Sequence, residues 1–198
     1  MEDRPWYDLG MVHMKVHHAS AILLRNLTVA HTGIGLIQDP WVVKGAIRGL
    51  GNLLLVCFRN PKEQRPRACI AVKGVNVLPL LDFATGDLMA VQTELEDVGR
   101  VVIASAYLPY DSTDNPTREV QRLVEHCMLN TNARGVRLLD YLAGTDLEIM
   151  NVGNTPTFRN AAREEVIDLT LSSTKIAYLI GEWRVSDEPS LSDHSLII

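Results

Sequence analysis

Five short runs rich in Val, Ile and Leu, at residues 34–38, 53–58, 68–72, 87–94 and 101–107, are each bounded by clusters of Gly, Pro, Asn and Asp. Runs of that length and punctuation read as β-strands separated by turns. A looser alternation at 11–16 predicts a first strand ahead of them. Most links between the middle runs are too short to hold a helix, while helical patterns flank them at both ends. The spacing predicts an α/β chain in which a mixed sheet, folded as two packed sheets, carries helices on the outside.

The helical segments follow from apolar periodicity. Residues 20–30 place Ile22, Leu23, Leu27 and Val29 on one side. Residues 117–128 place Val120, Leu123, Val124 and Cys127 on a stripe, with Pro116 suited to a first turn. Residues 133–143 repeat the pattern with Val136, Leu139 and Leu142, closed by Gly144. Residues 174–181 predict a short last helix. No linker, internal repeat or low-complexity run divides the 198 residues, so 1–198 is expected to be a single domain.

Composition narrows the function classes. The chain has no run of 18 apolar residues, so no spanning helix and no membrane role are expected. Its first residues are charged, without the apolar stretch of a secretion signal, which predicts an intracellular protein. Three cysteines, Cys57, Cys69 and Cys127, make neither a disulfide framework nor a CxxC pair. The net charge of −5 argues against a protein that grips nucleic acid by bulk charge. It leaves room for an enzyme that meets phosphate through a carboxylate-bound metal.

Four segments carry candidate chemistry. In EVIDLTL (165–171), Asp168 stands inside an apolar, strand-like run, where a carboxylate needs a partner. In SLSDHSL (190–196), Asp193 and His194 precede an apolar run; an acid beside a histidine can ligate a metal while the imidazole acts on phosphate or water. A distant acid such as Asp168 can fix the imidazole tautomer. Taken alone, the structural reading has the better claim, with Asp168 capping a turn and His194 an ordinary loop histidine. In GLIQDPW (35–41), Asp39 ends an apolar strand before Pro40, and reads either as a cleft residue or as a strand-ending turn. In VVIASAYLP (101–109), Tyr107 ends a buried run before Pro109, and reads either as a phosphate contact or as a rim residue.

Taken together and in order, QDPW, ASAYLP, PTF (156–158), IDLTL and SDH resemble the endonuclease/exonuclease/phosphatase superfamily. More narrowly, GLIQDPWV, GNTPTF, EVIDLTL and WRVSDEPSLSDHSLI are similar to the endonuclease domain of jockey-like non-LTR retrotransposons. The resemblance runs from about His13 to the last residue. It implies a four-layer α/β sandwich and Mg²⁺- or Mn²⁺-dependent phosphodiester cleavage of DNA. In that setting a nick in target DNA primes a reverse transcriptase, and the place of action is the nucleus. By the same resemblance Asp39 and Asp193 are metal ligands, Asp39 standing where the family usually has Glu. Tyr107 matches the tyrosine near the scissile phosphate, Asp168 the acid that orients the histidine, and His194 the histidine on the phosphate.

Two departures from the family pattern bear on activity. Lys15 falls at or near the position of an Asn at the end of the family's first strand, just ahead of His17 and His18. The family's Gly-x-Asp-x-Asn strand end, due between the helix at 117–128 and Asn132-Ala133-Arg134-Gly135, has no counterpart. The sandwich is therefore expected to lack one central strand, and the alternative to an active nuclease is a degenerate, inactive remnant.

The remaining features are weaker. His13, His17 and His18 lack the further ligands of a zinc site. The glycines at 45, 49 and 51 lack a P-loop ending. The basic stretch 59–67 reads as a solvated loop, with contact to DNA phosphates as its other reading.

Overall fold

The computed structural model describes residues 8–13, 17–29, 33–51, 55–59, 65–95, 99–109, 117–127, 144–181 and 183–198. The chain begins with strand β1 (Asp8–His13), helix α1 (His17–Val29) and strand β2 (Gly33–Gln38). β1 and β2 pair in parallel, which requires a crossover, and α1 supplies it. A small hairpin, β3 (Val42–Val43) with β4 (Ala46–Ile47), follows. β5 (Leu55–Cys57) and β6 (Ala68–Lys73) then complete a four-stranded sheet in the order β1-β2-β6-β5. The second sheet is antiparallel, with β7 (Leu78–Pro79), β8 (Leu88–Leu95) and β9 (Gly99–Ala106) in that order. Helix α2 (Arg118–Cys127) comes next. The last part holds two short pairs, β10 (Leu147–Ile149) with β13 (Leu171–Ser173) and β11 (Phe158–Arg159) with β12 (Glu164–Glu165).

The alternation of side chains along the strands builds the layers. On β6, Ile70 and Val72 face one way and join Ile34, Met89 and Val91 in the core between the sheets. Cys69 and Ala71 face the other way and pack with Ile37 beneath Leu23 and Leu27 of α1. On β8, Met89 and Val91 point inward, while Leu88 and Ala90 point outward onto Leu123 of α2. Because successive strand residues alternate faces, each central strand serves two cores at once. The result is α1, first sheet, second sheet, α2: the four-layer α/β sandwich expected from the sequence. A buried polar link ties the sheets together, with the Ser105 hydroxyl on β9 donating to the Ile37 carbonyl on β2 at 3.0 Å.

α1 can approach β2 closely because residue 35 is glycine. A Cβ there would meet both Leu23 methyl carbons at 3.2 Å. β9 pairs with β8, and β10 with β13; among the described residues no strand joins β9 to β10. The segment where the missing family strand would fall, and the helix expected at 133–143, lie outside the described residues. No helix among the described residues is long and apolar enough to cross a membrane.

Several expectations are corrected. The first strand covers Asp8–His13 and so begins three residues earlier than expected, while residues 14–16 lie outside the described residues; α1 starts at His17, so His17 and His18 open a helix instead of closing a strand. Lys15 lies outside the described residues. Of the run expected at 53–58, β5 covers Leu55–Cys57, and residues 53 and 54 lie outside the described residues. The last helix is a single 3-10 turn, Ala177–Leu179. The strand-like run at 165–171 is broken, because side chains replace the ladder there. The Thr157 hydroxyl accepts the amide hydrogens of Ile167 and Asp168, and the Asn151 side chain bonds the Thr170 amide and the Asp168 carbonyl.

Candidate active site

Strand ends gather four residues at one rim of the sandwich. β2 delivers Asp39, whose backbone is left-handed (φ 49°) and whose amide donates to the Arg67 carbonyl at 2.8 Å. That turn is possible because Asp tolerates the left-handed region better than most side chains. Arg67 stands at the start of β6, opposite the end of β2. Asp87 precedes β8 and Tyr107 follows β9, and the Tyr107 amide donates to the Asp87 carbonyl at 2.7 Å. The Arg67 guanidinium makes a two-point link to Asp87, Nε to Oδ1 at 2.6 Å and Nη2 to Oδ2 at 2.5 Å. It also lies over the Tyr107 ring, 4.5 Å from the centroid. The Asp87 hydrogen bond, aided by the negative charges around it, raises the Arg67 pKa and holds it cationic.

The basic stretch is thus no freely solvated loop where it is described. Arg59 donates to the carbonyls of Leu81 and Ala84, Arg65 to that of Pro40, and Arg67 to Asp87. Residues 60–64 lie outside the described residues.

The second set comes from the last third of the chain. His194 Nδ1 lies 2.9 Å from Asp168 Oδ2 and 3.1 Å from Oδ1, and both side chains are largely buried. The Phe158 ring meets the imidazole edge-on at 4.9 Å. The turn before His194 is held by Ser190, whose buried hydroxyl donates to the His194 carbonyl and accepts the Ser192 amide. Leu191, within that turn, adopts a left-handed φ of 55°. Asp193 accepts from Arg159 N–H through its carbonyl, and its carboxylate accepts from the Ser192 hydroxyl at 3.3 Å.

One residue organises this set. Thr157 is fully buried. Its hydroxyl holds the amides of Ile167 and Asp168, its carbonyl accepts the Ser195 amide at 2.7 Å, and its own amide donates to Glu165. Both halves of the His–Asp pair therefore hang from one threonine. In the sequence Thr157 is only the middle residue of PTF, and Arg67 is only one cation of the basic stretch 59–67. A threonine beside an apolar run carries no signal of which amides it will bond. The two sets share one core, in which Leu196 packs with Ile37, two residues from His194 and Asp39 respectively.

Residues 124–198, which hold the His–Asp pair, match the endonuclease-reverse transcriptase family. Among solved structures, the endonuclease domain of TRAS1, a telomere-specific non-LTR retrotransposon, superposes with a TM-score of 0.75 at 22% identity, over 96% of this chain and 95% of that one. The fold is that of a retrotransposon endonuclease domain. No curated protein matches the chain in sequence. Within this endonuclease fold, an Asp-x-Asn sequence occurs nowhere along the 198 residues. Asp87 is taken up by Arg67; Asp39 at the rim and Asp193 beside the histidine are further carboxylates. Hard oxygen donors of that kind suit Mg²⁺, which takes one or two carboxylates and fills its other positions with water and phosphate. Among the described residues no three His, Cys, Asp or Glu side chains form a closed metal cage.

Proposed function

We propose that this chain is a DNA endonuclease domain of the non-LTR retrotransposon kind, dependent on Mg²⁺ or Mn²⁺, which nicks DNA so that a reverse transcriptase of the parent element can prime on it. The observation that carries the reading is the Asp168–His194 pair, with Asp193 next to it in the chain. A carboxylate can only accept, so the neutral imidazole meets Asp168 through Nδ1–H, and Nε2 is left as the basic nitrogen. His194 then holds or moves a proton at Nε2, and Asp168 stabilises the ring as it becomes positive. Tyr107 presents its phenol at the rim as a hydrogen-bonding group for a phosphate oxygen. Asp39 and Asp193 are the side chains that would hold the metal, which supplies positive charge to the phosphoryl oxygens. The negative net charge is compatible with this role, because phosphate is met locally and not by a basic surface. The nucleus is where such a domain would meet its substrate.

A second reading has its own observation. The missing Asp-x-Asn, with β9 and β10 left in separate sheets, favours a folded remnant without turnover. Groups that act as a set lose several orders of magnitude in rate when one is removed. Supercoiled plasmid incubated with the purified chain separates the two. Nicking with Mg²⁺ that stops with EDTA and in His194→Ala supports the endonuclease. A folded chain that leaves the plasmid intact under both metals supports the remnant.

A further inference from the structure

Arg67 sits where four strand ends meet, and the endonuclease chemistry of His194, Asp168 and Tyr107 leaves it without a task. Its contacts are of three kinds. The two-point link to Asp87 fixes the plane of the guanidinium, a geometry a lysine ammonium cannot reproduce. That plane rests on the Tyr107 ring at 4.5 Å. Its main-chain carbonyl takes the Asp39 amide, in the turn where Asp39 has its left-handed backbone. Asp87 closes the loop, since its own carbonyl holds the Tyr107 amide. A surface ion pair would need none of this, and an exposed pair contributes little to stability.

We propose that Arg67 is a positioning residue that sets the tyrosine ring at the rim, so that the Tyr107 hydroxyl meets the scissile phosphodiester in one orientation. The inference rests on the endonuclease reading. Asp87 orients the cation, the cation covers one face of the ring, and the main chains of Arg67 and Asp87 hold Asp39 and Tyr107 at the ends of their strands. Stacking of this kind restrains a ring without blocking its hydroxyl.

The test uses the full chain and the variants Arg67→Lys, Tyr107→Phe and the double variant. Arg67→Lys keeps the charge and loses the flat, two-point geometry. In single-turnover nicking, Arg67→Lys is expected to lower kcat about 100-fold, as small misplacements of a positioned group do, with KM for DNA little changed. In the Tyr107→Phe background, where the hydroxyl is gone and the ring remains, the same change is expected to have little further effect. Equal losses in both backgrounds, or a loss confined to KM, would overturn the proposal. A second readout does not need turnover. In ¹³C-tyrosine-labelled protein, the Tyr107 ring signal, identified by its loss in Tyr107→Phe, should shift in Arg67→Lys while the other tyrosine signals stay in place. An unmoved Tyr107 signal in a folded Arg67→Lys variant refutes the positioning role. A shifted signal with no nicking by the unsubstituted chain overturns the endonuclease reading and leaves the Arg67–Tyr107 relationship standing.

Discussion

The Thr157 hydroxyl holds the amide of Asp168 at 3.0 Å, and through it the carboxylate that meets His194. The same oxygen takes the Ile167 amide. Thr157→Val is nearly the same size but takes the acceptor from two part-buried N–H groups. Each unsatisfied group costs about 1–3 kcal/mol. Urea unfolding should show a loss of about 2 kcal/mol or more for Thr157→Val, and much less for Thr157→Ser. Equal stability in Val and Ser variants would show that the hydroxyl is dispensable.

Asp168→Asn tests the pair by chemistry. The amide can donate a hydrogen bond to Nδ1 and so stabilise the wrong imidazole tautomer. Nicking by an active chain should fall by about 10²–10⁴, the range a positioned acid–base group contributes. The circular dichroism spectrum should not change. Retained nicking would remove Asp168 from the mechanism.

Gly35→Ala probes the contact between α1 and the first sheet. Alanine restrains the unfolded chain, a gain of about 0.4–1 kcal/mol. Against that stands the 3.2 Å approach to Leu23, and overpacking in a filled core costs about 1–3 kcal/mol. The clash is the larger effect, so thermal unfolding should show a net loss of about 1 kcal/mol. A raised Tm would mean that Leu23 moves aside freely.

Burial raises the thiol pKa of both Cys57 and Cys69, most strongly for Cys69 in the core beneath α1. Neither should react with iodoacetamide in the native chain at pH 8, and peptide mapping should find both alkylated after denaturation. The pH sign follows. Below about pH 9 the Cys69 thiol is neutral folded or unfolded, and its contribution is intact. Above that pH the unfolded chain releases the proton while the folded chain keeps it. Stability should then fall by up to about 1.4 kcal/mol per pH unit, and the slope should shrink in Cys69→Ala.

The sequence spoke clearly where one residue's environment repeats. Ile70 and Val72 on one face of β6, with Cys69 and Ala71 on the other, are apolar on both sides, so the run declared a strand buried in two cores. Order along the chain was enough to single out Asp168 and His194 for pairing. What it could not show depends on which groups meet across the fold. The apolar run around Asp168 looks like a strand, yet the Thr157 and Asn151 side chains, not a neighbouring strand, take the amides of Asp168 and Thr170. Arg67 looked like one cation of a basic loop until Asp87 and Tyr107 closed around it, from sequence positions 20 and 40 residues away.

The two sets of rim residues differ in when they can exist. Asp39, Arg67, Asp87 and Tyr107 all lie in the first 107 residues, on strands that pair with near neighbours. His194 comes 87 residues after Tyr107, and its anchor is the docking of Leu196 into the core under α1. During synthesis from the N-terminus, the tyrosine rim can assemble while the histidine is still inside the ribosome. A nascent chain that has emerged only as far as Tyr107 therefore carries the tyrosine rim without the His–Asp pair, and the two halves of the site meet only once the later segment has followed.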